Sequence, residues 1–272
     1  MSRGPGVSNQ SSFDTQPPAP RDATVRHMLH LPPVTLVAID TAYHALTRAA
    51  LADCLRAVEF GKVAVWSEDL DTVPTEAWVN HGWSFYQISK DECRTTDDWS
   101  HLLWYRVPEK VTTTHALIIQ YDSWIINPAQ WSDDWLQYDY IGAPWWYADG
   151  SPNVGNGGFS LRSKRLMDHL AKYRTAYPLV HPEDDALCRR YGPALAWEGF
   201  RFAPPEVAAR FSFERSYPRD WVPFGFHGQF NWPLVLSPAQ IEARLALAPP
   251  KLQDHVHHAQ MREVQAGMHV HP

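Results

Sequence analysis

A short apolar segment in the middle of the chain, residues 116–119 (Ala-Leu-Ile-Ile), constrains the fold most strongly. Four residues are too few for a helix and two of them are β-branched, so the segment predicts a buried central strand. Gln120 and Asp122 follow directly, and the apolar pattern then resumes. Open α/β sheets bind ligands beyond the carboxyl ends of their strands. Asp122 is therefore the first candidate for a functional residue, although an Asp at a strand end also commonly forms a turn.

The chain before this strand has the pattern of a βαβ unit. Residues 34–39 predict a first strand ending at Asp40 and Thr41, residues 43–59 alternate with a helical period, and residues 62–66 predict a second strand. Such a unit favours a parallel sheet with a right-handed crossover.

Later segments predict further elements of the same α/β fold. Residues 83–88 and 159–162 predict strands, and Asn156-Gly157 in the glycine-rich stretch between them is a turn signal. Residues 181–190 predict a helix that starts with Pro182 and carries Glu183 and Asp184 in its first turn. Gly192-Pro193 is expected to end that helix, and a last short helix is expected from about residue 238.

Composition limits the classes of function. The formal charge of −6 and the lack of a long Lys/Arg block argue against broad nonspecific binding of nucleic acid. Three widely spaced cysteines imply neither a disulfide framework nor a CxxC metal knuckle, and a reduced, cytoplasmic setting is expected. No stretch approaches the roughly 20 apolar residues that span a bilayer. The 13 Trp residues are suited either to a core or to stacking on sugar rings.

The domain organisation follows from local composition. Residues 1–30 are polar and Pro-rich and predict a disordered leader. Residues 31–248 predict one domain, and residues 249–272 predict a flexible His-rich tail.

Five motifs occur together and in a fixed order. They are Leu117-Ile-Ile-Gln-Tyr-Asp-Ser-Trp-Ile-Ile-Asn-Pro128, Tyr138-Asp-Tyr-Ile-Gly-Ala-Pro-Trp145, Gly155-Asn-Gly-Gly-Phe-Ser-Leu-Arg-Ser163, Pro182-Glu-Asp184 and Phe224-Gly-Phe-His-Gly228. This series resembles the DUF5672 family, which is similar to the GT-A glycosyltransferases, over residues 34–235. The resemblance implies a GT-A-like αβα sandwich with a mixed, mostly parallel central sheet.

The resemblance also implies a donor site. In GT-A enzymes a DxD motif ends a central strand and holds a divalent metal on the diphosphate of a nucleotide-sugar, because hard oxygen ligands suit Mn²⁺ or Mg²⁺. The matching residues here are Gln120-Tyr121-Asp122, so only the second carboxylate is kept. Asp122 and His227 are the implied metal ligands, although a His in an aromatic loop can equally be a packing residue. Asp40, Thr41, Gln120 and Asp122 are the implied nucleotide contacts.

The catalytic and acceptor residues are implied in the same way. Glu183 and Asp184 resemble the pair that supplies the general base of inverting enzymes, with Asp184 as the base, while their alternative role is that of ordinary first-turn acids. The implied sugar or acceptor contacts, each of which has an ordinary packing or surface role as its alternative, are Asn156, Gly157, Gly158, Arg162 and Trp145.

The expected function is therefore an inverting, metal-dependent glycosyltransferase. It would move a sugar from a nucleotide-sugar, with UDP-sugar as the first expectation, to a hydroxyl of a glycan or another acceptor. Modified DNA stays open as an acceptor. The alternatives are a retaining or metal-independent transferase and an inactive carbohydrate-binding module, which the loss of the first DxD carboxylate would favour.

Overall fold

The predicted central strand lies inside a mixed six-stranded sheet. The computed structural model describes residues 28–78, 82–145, 147, 154–215, 220–249 and 252. The sheet has the strand order β3-β2-β1-β4-β6-β5, and a separate pair, β7-β8, lies beside it. The strands are β1 (Leu29–Asp40), β2 (Val58–Ser67), β3 (Trp83–Gln87), β4 (His115–Ile119), β5 (Tyr140–Ile141), β6 (Phe159–Ser163), β7 (Ser212–Phe213) and β8 (Gly225–Phe226).

Helices of very different length connect these strands. The α-helices are α1 (His44–Ala57), α2 (Thr75–Trp78), α3 (Thr96–His101), α4 (Lys164–Lys172), α5 (Glu183–Asp185), α6 (Gly192–Trp197), α7 (Pro205–Phe211), α8 (Trp232–Val235) and α9 (Pro238–Leu247). Two of them, α3 and α5, continue as π-helical turns over Leu102–Arg106 and Ala186–Arg190. Within the described part of the chain, no helix combines the length and apolar character that crossing a membrane requires.

Strand direction decides which loops meet at the functional edge of the sheet. β3, β2, β1 and β4 are mutually parallel, so Asp40 and Gln120 leave the sheet at the same edge. β6 runs antiparallel to β4 and pairs Phe159 with Ile119. β6 therefore begins at the edge where β4 ends, and the loop that precedes β6 lies at this same edge. The mixed, mostly parallel sheet and the α/β fold class predicted from the sequence are confirmed.

The two faces of the sheet bury different helices because side chains alternate along a strand. In β1, Leu36 and Ala38 belong to a core that contains the apolar face of α1. Val37 and Ile39 face the other way, toward a core that includes Leu103 after α3. The sheet thus has helical layers on both faces, as a GT-A-like αβα sandwich requires.

The pair β7-β8 brings two distant polar residues together. Its parallel register matches Phe213 with Phe226. Glu214 and His227 are the next residues of the two strands, and the backbone amide of His227 donates to the carbonyl of Phe213 at 3.0 Å. The fold therefore fixes the separation of these two side chains through backbone pairing.

Two local predictions differ from the structure. After β4 the chain does not resume as a strand, because Ser123 closes a turn by donating its amide to the carbonyl of Gln120 at 3.2 Å and accepting from the amide of Gln120 through Oγ at 2.8 Å. Gly192-Pro193 begins α6 instead of only ending the previous helix, since Pro fits a first helical turn. Helix α3 has Thr95 as its N-cap, and Asp98 completes the capping box.

The first described strand starts close to the predicted start of the domain. β1 begins at Leu29, two residues before the predicted domain start, because Leu29 pairs with Val58. Residues 1–27, Trp146 and most of the tail after 249 lie outside the described residues, and so do the predictions made for them. Five of the Trp residues are core residues, each at most 4% exposed: Trp66, Trp104, Trp124, Trp135 and Trp232.

Candidate active site

A cavity of about 490 Å³ opens at the carboxyl edge of the parallel strands. It gathers residues from every predicted motif except the one at 138–145. The predicted site residues that line it are Asp40, Thr41, Gln120, Asn156, Gly157, Gly158, Glu183, Asp184 and His227. Segments more than 180 positions apart in sequence therefore meet around one space, which only the sheet topology could arrange.

Asp184 is held firmly at the wall of this cavity. Its Oδ2 accepts a hydrogen bond from the backbone amide of Gly157 at 2.8 Å, and its Oδ1 accepts from the amide of Asp185 at 2.9 Å. Burial and the neighbouring charge of Glu183 raise the pKa of Asp184 to about 6, although the two amides and Arg162 act in the opposite direction. A carboxylate with such a pKa is ionised at neutral pH but accepts a proton readily, as a general base must.

Glu183 has a different environment from its neighbour. It is 4% exposed and forms a bidentate pair with Arg162, whose two terminal nitrogens lie 3.0 and 2.8 Å from the carboxylate oxygens. Arg162 is itself 3% exposed, donates through Nε to Oγ of Ser160 at 2.9 Å, and lies over the ring of Tyr140. The guanidinium of Arg162 therefore fixes the position of Glu183 at the wall of the cavity.

His227 is enclosed by polar groups on both sides of its ring. Nε2 lies 3.1 Å from Oε1 of Gln120 and 3.6 Å from Oδ1 of Asp122, while Nδ1 lies 3.2 Å from Oε1 of Glu214. Burial alone lowers the pKa of His227, but the carboxylates of Asp122 and Glu214 outweigh it and raise the pKa to about 9. The ring is consequently an imidazolium at neutral pH and places a positive charge in the cavity.

Glu214 is the functional candidate that sequence reasoning missed. It lines the cavity, and its carboxylate faces His227. Burial by itself raises the pKa of Glu214, but the hydrogen bond and charge of His227 hold it below its ordinary value. The short segment Phe211-Ser-Phe-Glu214 matches no motif and gives no functional signal, because its significance depends on strand pairing with residues 225–226.

Asp122 anchors the loop that carries His227. Its Oδ2 accepts from the backbone amide of Gln229 at 3.0 Å, and its carbonyl accepts from the amide of Gly228 at 3.1 Å. Asp122 is only 7% exposed, and among the described residues Oδ1 has no hydrogen-bonding partner. One carboxylate oxygen of Asp122 thus stabilises the loop, and the other faces His227. A structural role and a ligand-binding role of Asp122 are therefore compatible.

Three glycines before β6 permit close packing around the cavity. A Cβ at Gly155 would lie 2.2 Å from the ring of Trp145, and one at Gly157 would lie 2.5 Å from Oε1 of Glu183. A Cβ at Gly158 would lie 2.2 Å from Nε2 of His227. The protein's own side chains fill these positions, so the glycines are needed for packing of the active-site residues.

At the end of β1, Asp40 and Thr41 contact their own chain. Oδ1 of Asp40 accepts from the amides of Ala42 and Tyr43 at 3.1 and 2.8 Å, and Oδ2 lies 2.9 Å from Nδ1 of His44. Thr41 donates to the carbonyl of Cys93 at 2.6 Å. Both residues also line the cavity. Their contacts with a nucleotide stay a prediction.

Trp145 lies next to the cavity-forming loop and packs against Tyr147, with ring centroids 5.6 Å apart. Its contact with Gly155 gives it a packing role. Its role as an acceptor platform stays a prediction.

The divalent metal predicted at Asp122 and His227 stays a prediction. No group of three or more His, Cys, Asp or Glu side chains with metal-binding geometry occurs in the described part of the chain. However, Oδ1 of Asp122 lacks a hydrogen-bonding partner among those residues, and it lies with Oε1 of Gln120 around Nε2 of His227. Mg²⁺ and similar ions commonly use one or two carboxylates together with the phosphates of the substrate. An ion here would have to displace the Nε2 proton, which weakens its affinity at low pH.

Three comparisons with known proteins bear on this chain. A profile of the DUF5672 family, described as "Protein of unknown function (DUF5672)", matches residues 98–227. The resemblance to this family is confirmed over that range, which contains β4, the glycine-rich loop, α5 and His227. No curated protein matches the chain.

Several solved structures of glycosyltransferases are similar to the chain. An active-site mutant of LgtC shares 13% identity over 80% of this chain and 99% of its own, with a TM-score of 0.47. A glycosyltransferase involved in glycosylation of the major capsid of PBCV-1 shares 12% identity over 79% and 99%, with a TM-score of 0.44. GlyE of Streptococcus pneumoniae TIGR4, in its apo form, shares 13% identity over 88% of this chain and 64% of its own, with a TM-score of 0.44.

Proposed function

We propose that this protein is a nucleotide-sugar-dependent glycosyltransferase. The main support for the proposal is that a proton acceptor and a positively charged group line the same cavity. Asp184 supplies a proton acceptor with a pKa of about 6, and His227 supplies a positive charge with a pKa of about 9. Inverting transfer of a sugar from a nucleoside diphosphate to a hydroxyl uses both: a base for the acceptor and a positive charge for the leaving group.

The reaction would begin at the acceptor hydroxyl. Its oxygen attacks the anomeric carbon while the carboxylate of Asp184 takes its proton. The bond between the anomeric carbon and the diphosphate oxygen breaks, and the nucleoside diphosphate leaves with the electron pair. The amide of Gly157 keeps the Asp184 carboxylate oriented throughout, since it is hydrogen-bonded to Oδ2. Direct attack by the acceptor predicts inversion at the anomeric carbon.

The leaving diphosphate would lie against His227. The imidazolium offers a hydrogen bond and a full charge in a buried environment, where electrostatic stabilisation is strongest. When a divalent metal is bound, Asp122, Gln120 and His227 would hold it, and it would neutralise the diphosphate as a Lewis acid. Oδ1 of Asn156 is buried and without a hydrogen-bonding partner among the described residues, so it is suited to accept from a hydroxyl of the sugar.

A thermal-shift panel of UDP, GDP, ADP, CDP and dTDP, each with and without Mn²⁺, tests the proposal. A ligand at 100 times its dissociation constant adds about 2.7 kcal/mol of stability, which shifts the unfolding midpoint measurably. Stabilisation by one diphosphate supports the proposal and identifies the donor class, with UDP as the expected ligand. If no diphosphate stabilises the protein, the binding-module alternative is favoured. Analysis of the product anomer then tests inversion.

A further inference from the structure

Tyr140 belongs to the motif at 138–145, which does not line the cavity and has no part in the proposed reaction. Its side chain is fully buried. Its hydroxyl donates to the carbonyl of Gly155 and lies 3.3 Å from the carbonyl of Asn156. The thiol of Cys188 also hydrogen-bonds to this hydroxyl. Because both carbonyls can only accept, the phenolic proton is directed to them, and Tyr140 holds two successive carbonyls of the glycine-rich loop.

These two carbonyls belong to the peptide units on either side of Asn156. The first unit donates through the amide of Asn156 to the carbonyl of Ala143 at 3.3 Å. The second unit contains the carbonyl of Asn156 and the amide of Gly157, and this amide donates to Oδ2 of Asp184 at 2.8 Å. A peptide unit is planar and rigid. The hydroxyl of Tyr140 therefore helps to set the direction of the N–H group that meets Asp184.

Close packing encloses the second peptide unit on both sides. A Cβ at Gly142 would lie 2.2 Å from the carbonyl oxygen of Asn156, so the main chain of residue 142 lies directly against that oxygen. A Cβ at Gly157 would lie 2.5 Å from Oε1 of Glu183. The unit thus has little space in which to rotate. Hydrogen bonds at its two ends also polarise one another, so a donor at the carbonyl strengthens the N–H as a donor.

We propose that Tyr140 is a positioning residue for the general base: its hydroxyl holds the peptide unit between Asn156 and Gly157 so that the amide of Gly157 stays directed at Asp184. The role of Asp184 as the base rests on the proposed function, whereas the connection from Tyr140 to Asp184 follows from the hydrogen bonds alone. The motif at 138–145 would thus act on the reaction from outside the cavity.

The first test needs no ligand and follows a single amide. Asn156-Gly157 is the only Asn-Gly pair in the sequence. Protein labelled with carbonyl-¹³C Asn and ¹⁵N Gly therefore gives one signal in a carbonyl-selected amide NMR spectrum, that of Gly157. In the wild type its chemical shift should titrate with the pKa of Asp184, at about 6. Asp184→Asn should abolish this titration, which confirms that the signal reports on the carboxylate.

Tyr140→Phe removes the hydroxyl and keeps the ring. We expect faster hydrogen exchange of the Gly157 amide and a raised pKa of Asp184, because a weaker amide contact stabilises the carboxylate less. A second variant, Tyr140→fluorotyrosine, keeps the hydroxyl as a stronger donor and should lower this pKa. The control is Tyr191→Phe, which removes a buried hydroxyl that donates to the carbonyl of Pro178 at 2.6 Å outside the cavity. Thermal unfolding verifies the fold of each variant. Wild-type behaviour of the Gly157 amide in the Tyr140 variants would overturn the proposal.

The second test measures catalysis and binding separately. Misplacement of a catalytic group slows a reaction by about 10- to 100-fold, and we expect a fall of this size in kcat for Tyr140→Phe. The dissociation constant of the diphosphate identified in the thermal-shift panel should stay unchanged by calorimetry. Tyr191→Phe should alter neither quantity. An unchanged kcat in Tyr140→Phe, or an equal fall in Tyr191→Phe, would exclude the positioning role.

The two tests also separate this inference from the proposed function. If the wild-type protein binds no nucleoside diphosphate, the proposed function fails. The NMR comparison of the wild type with Tyr140→Phe then still decides whether Tyr140 directs the amide of Gly157 at Asp184.

Discussion

The backbone amide of Gly157 donates a hydrogen bond of 2.8 Å to Oδ2 of Asp184, a residue 27 positions later in the chain. This contact joins the glycine-rich loop before β6 to the first turn of α5. It stabilises the ionised carboxylate, while burial acts against ionisation and dominates. Asp184 is therefore poised between two protonation states near neutral pH.

Replacement of Asp184 by Asn should abolish transfer without unfolding the protein. Asn keeps an oxygen for the amide of Gly157 but cannot take a proton, and loss of a general base typically slows a reaction by about 10²–10⁴-fold. Binding of the diphosphate should persist. Initial rates and dissociation constants check this, with Asp185→Asn as the control because Asp185 pairs with Arg189 instead. Normal turnover in Asp184→Asn would remove this residue from the mechanism.

The pH dependence of transfer should follow the same carboxyl group. Activity is expected to rise with pH through about 6, because Asp184 must be ionised to act as the base. The contribution of Asp184 to the stability of the fold changes with pH in the opposite direction. Its pKa is raised in the folded state, so this group's contribution to stability is full below its ordinary pKa of 3.8 and is lost as pH rises through about 6. A pH–rate profile without this acidic limb would contradict the assignment.

Substitution of Gly158 by Ala should displace His227. The added Cβ would lie 2.2 Å from Nε2, so either the ring or the loop must move. Overpacking of this kind costs about 1–3 kcal/mol of stability, and diphosphate affinity should fall with it. Gly192→Ala is the matched control, since its nearest neighbour would lie at 3.6 Å. Urea unfolding and calorimetry measure the two effects, and equal behaviour of both variants would refute this reading of the loop.

Asp122→Asn should weaken the metal-dependent part of diphosphate binding. The substitution preserves an oxygen for the amide of Gln229 but removes the charge that faces Nε2 of His227 at 3.6 Å. We expect at least about a tenfold loss of affinity in Mn²⁺, by analogy with supporting ligands of metal sites. EDTA should weaken binding in the wild type and have little further effect in the variant. Asp134→Asn, at an exposed position, serves as the control.

The buried pair of Arg162 and Glu183 should contribute strongly to stability when only one partner is removed. Arg162→Met leaves an uncompensated buried carboxylate, and such changes cost about 3–5 kcal/mol. The double variant Arg162→Met with Glu183→Leu should recover much of this loss. Arg56→Met removes two partly exposed ion pairs, with Asp53 and Glu76, and should cost at most about 1 kcal/mol for each pair. Denaturant midpoints measure all three, and a mild effect of Arg162→Met alone would disprove the structural role.

Much of the fold could be predicted because local patterns and tertiary structure agree. Short runs of apolar and β-branched residues predicted β1, β2 and β4, and the helical period of residues 43–59 predicted α1 almost to its ends. Prediction was poorer at residues 192–193, where Pro and Gly can both end one helix and begin the next. The local sequence there is compatible with the end of one helix and with the start of another. Packing of Leu195 in the core favours the start of a helix.

The sequence by itself determined the α/β class and the strand ends that carry Asp40 and Gln120. These follow from periodicity and from the common direction of parallel strands. Only the tertiary structure decided that Arg162 is held by Glu183, that the glycines accommodate Trp145, Glu183 and His227, and that Glu214 lies beside His227. Such contacts join residues far apart in the chain, so they depend on strand register and close packing, which no local pattern encodes.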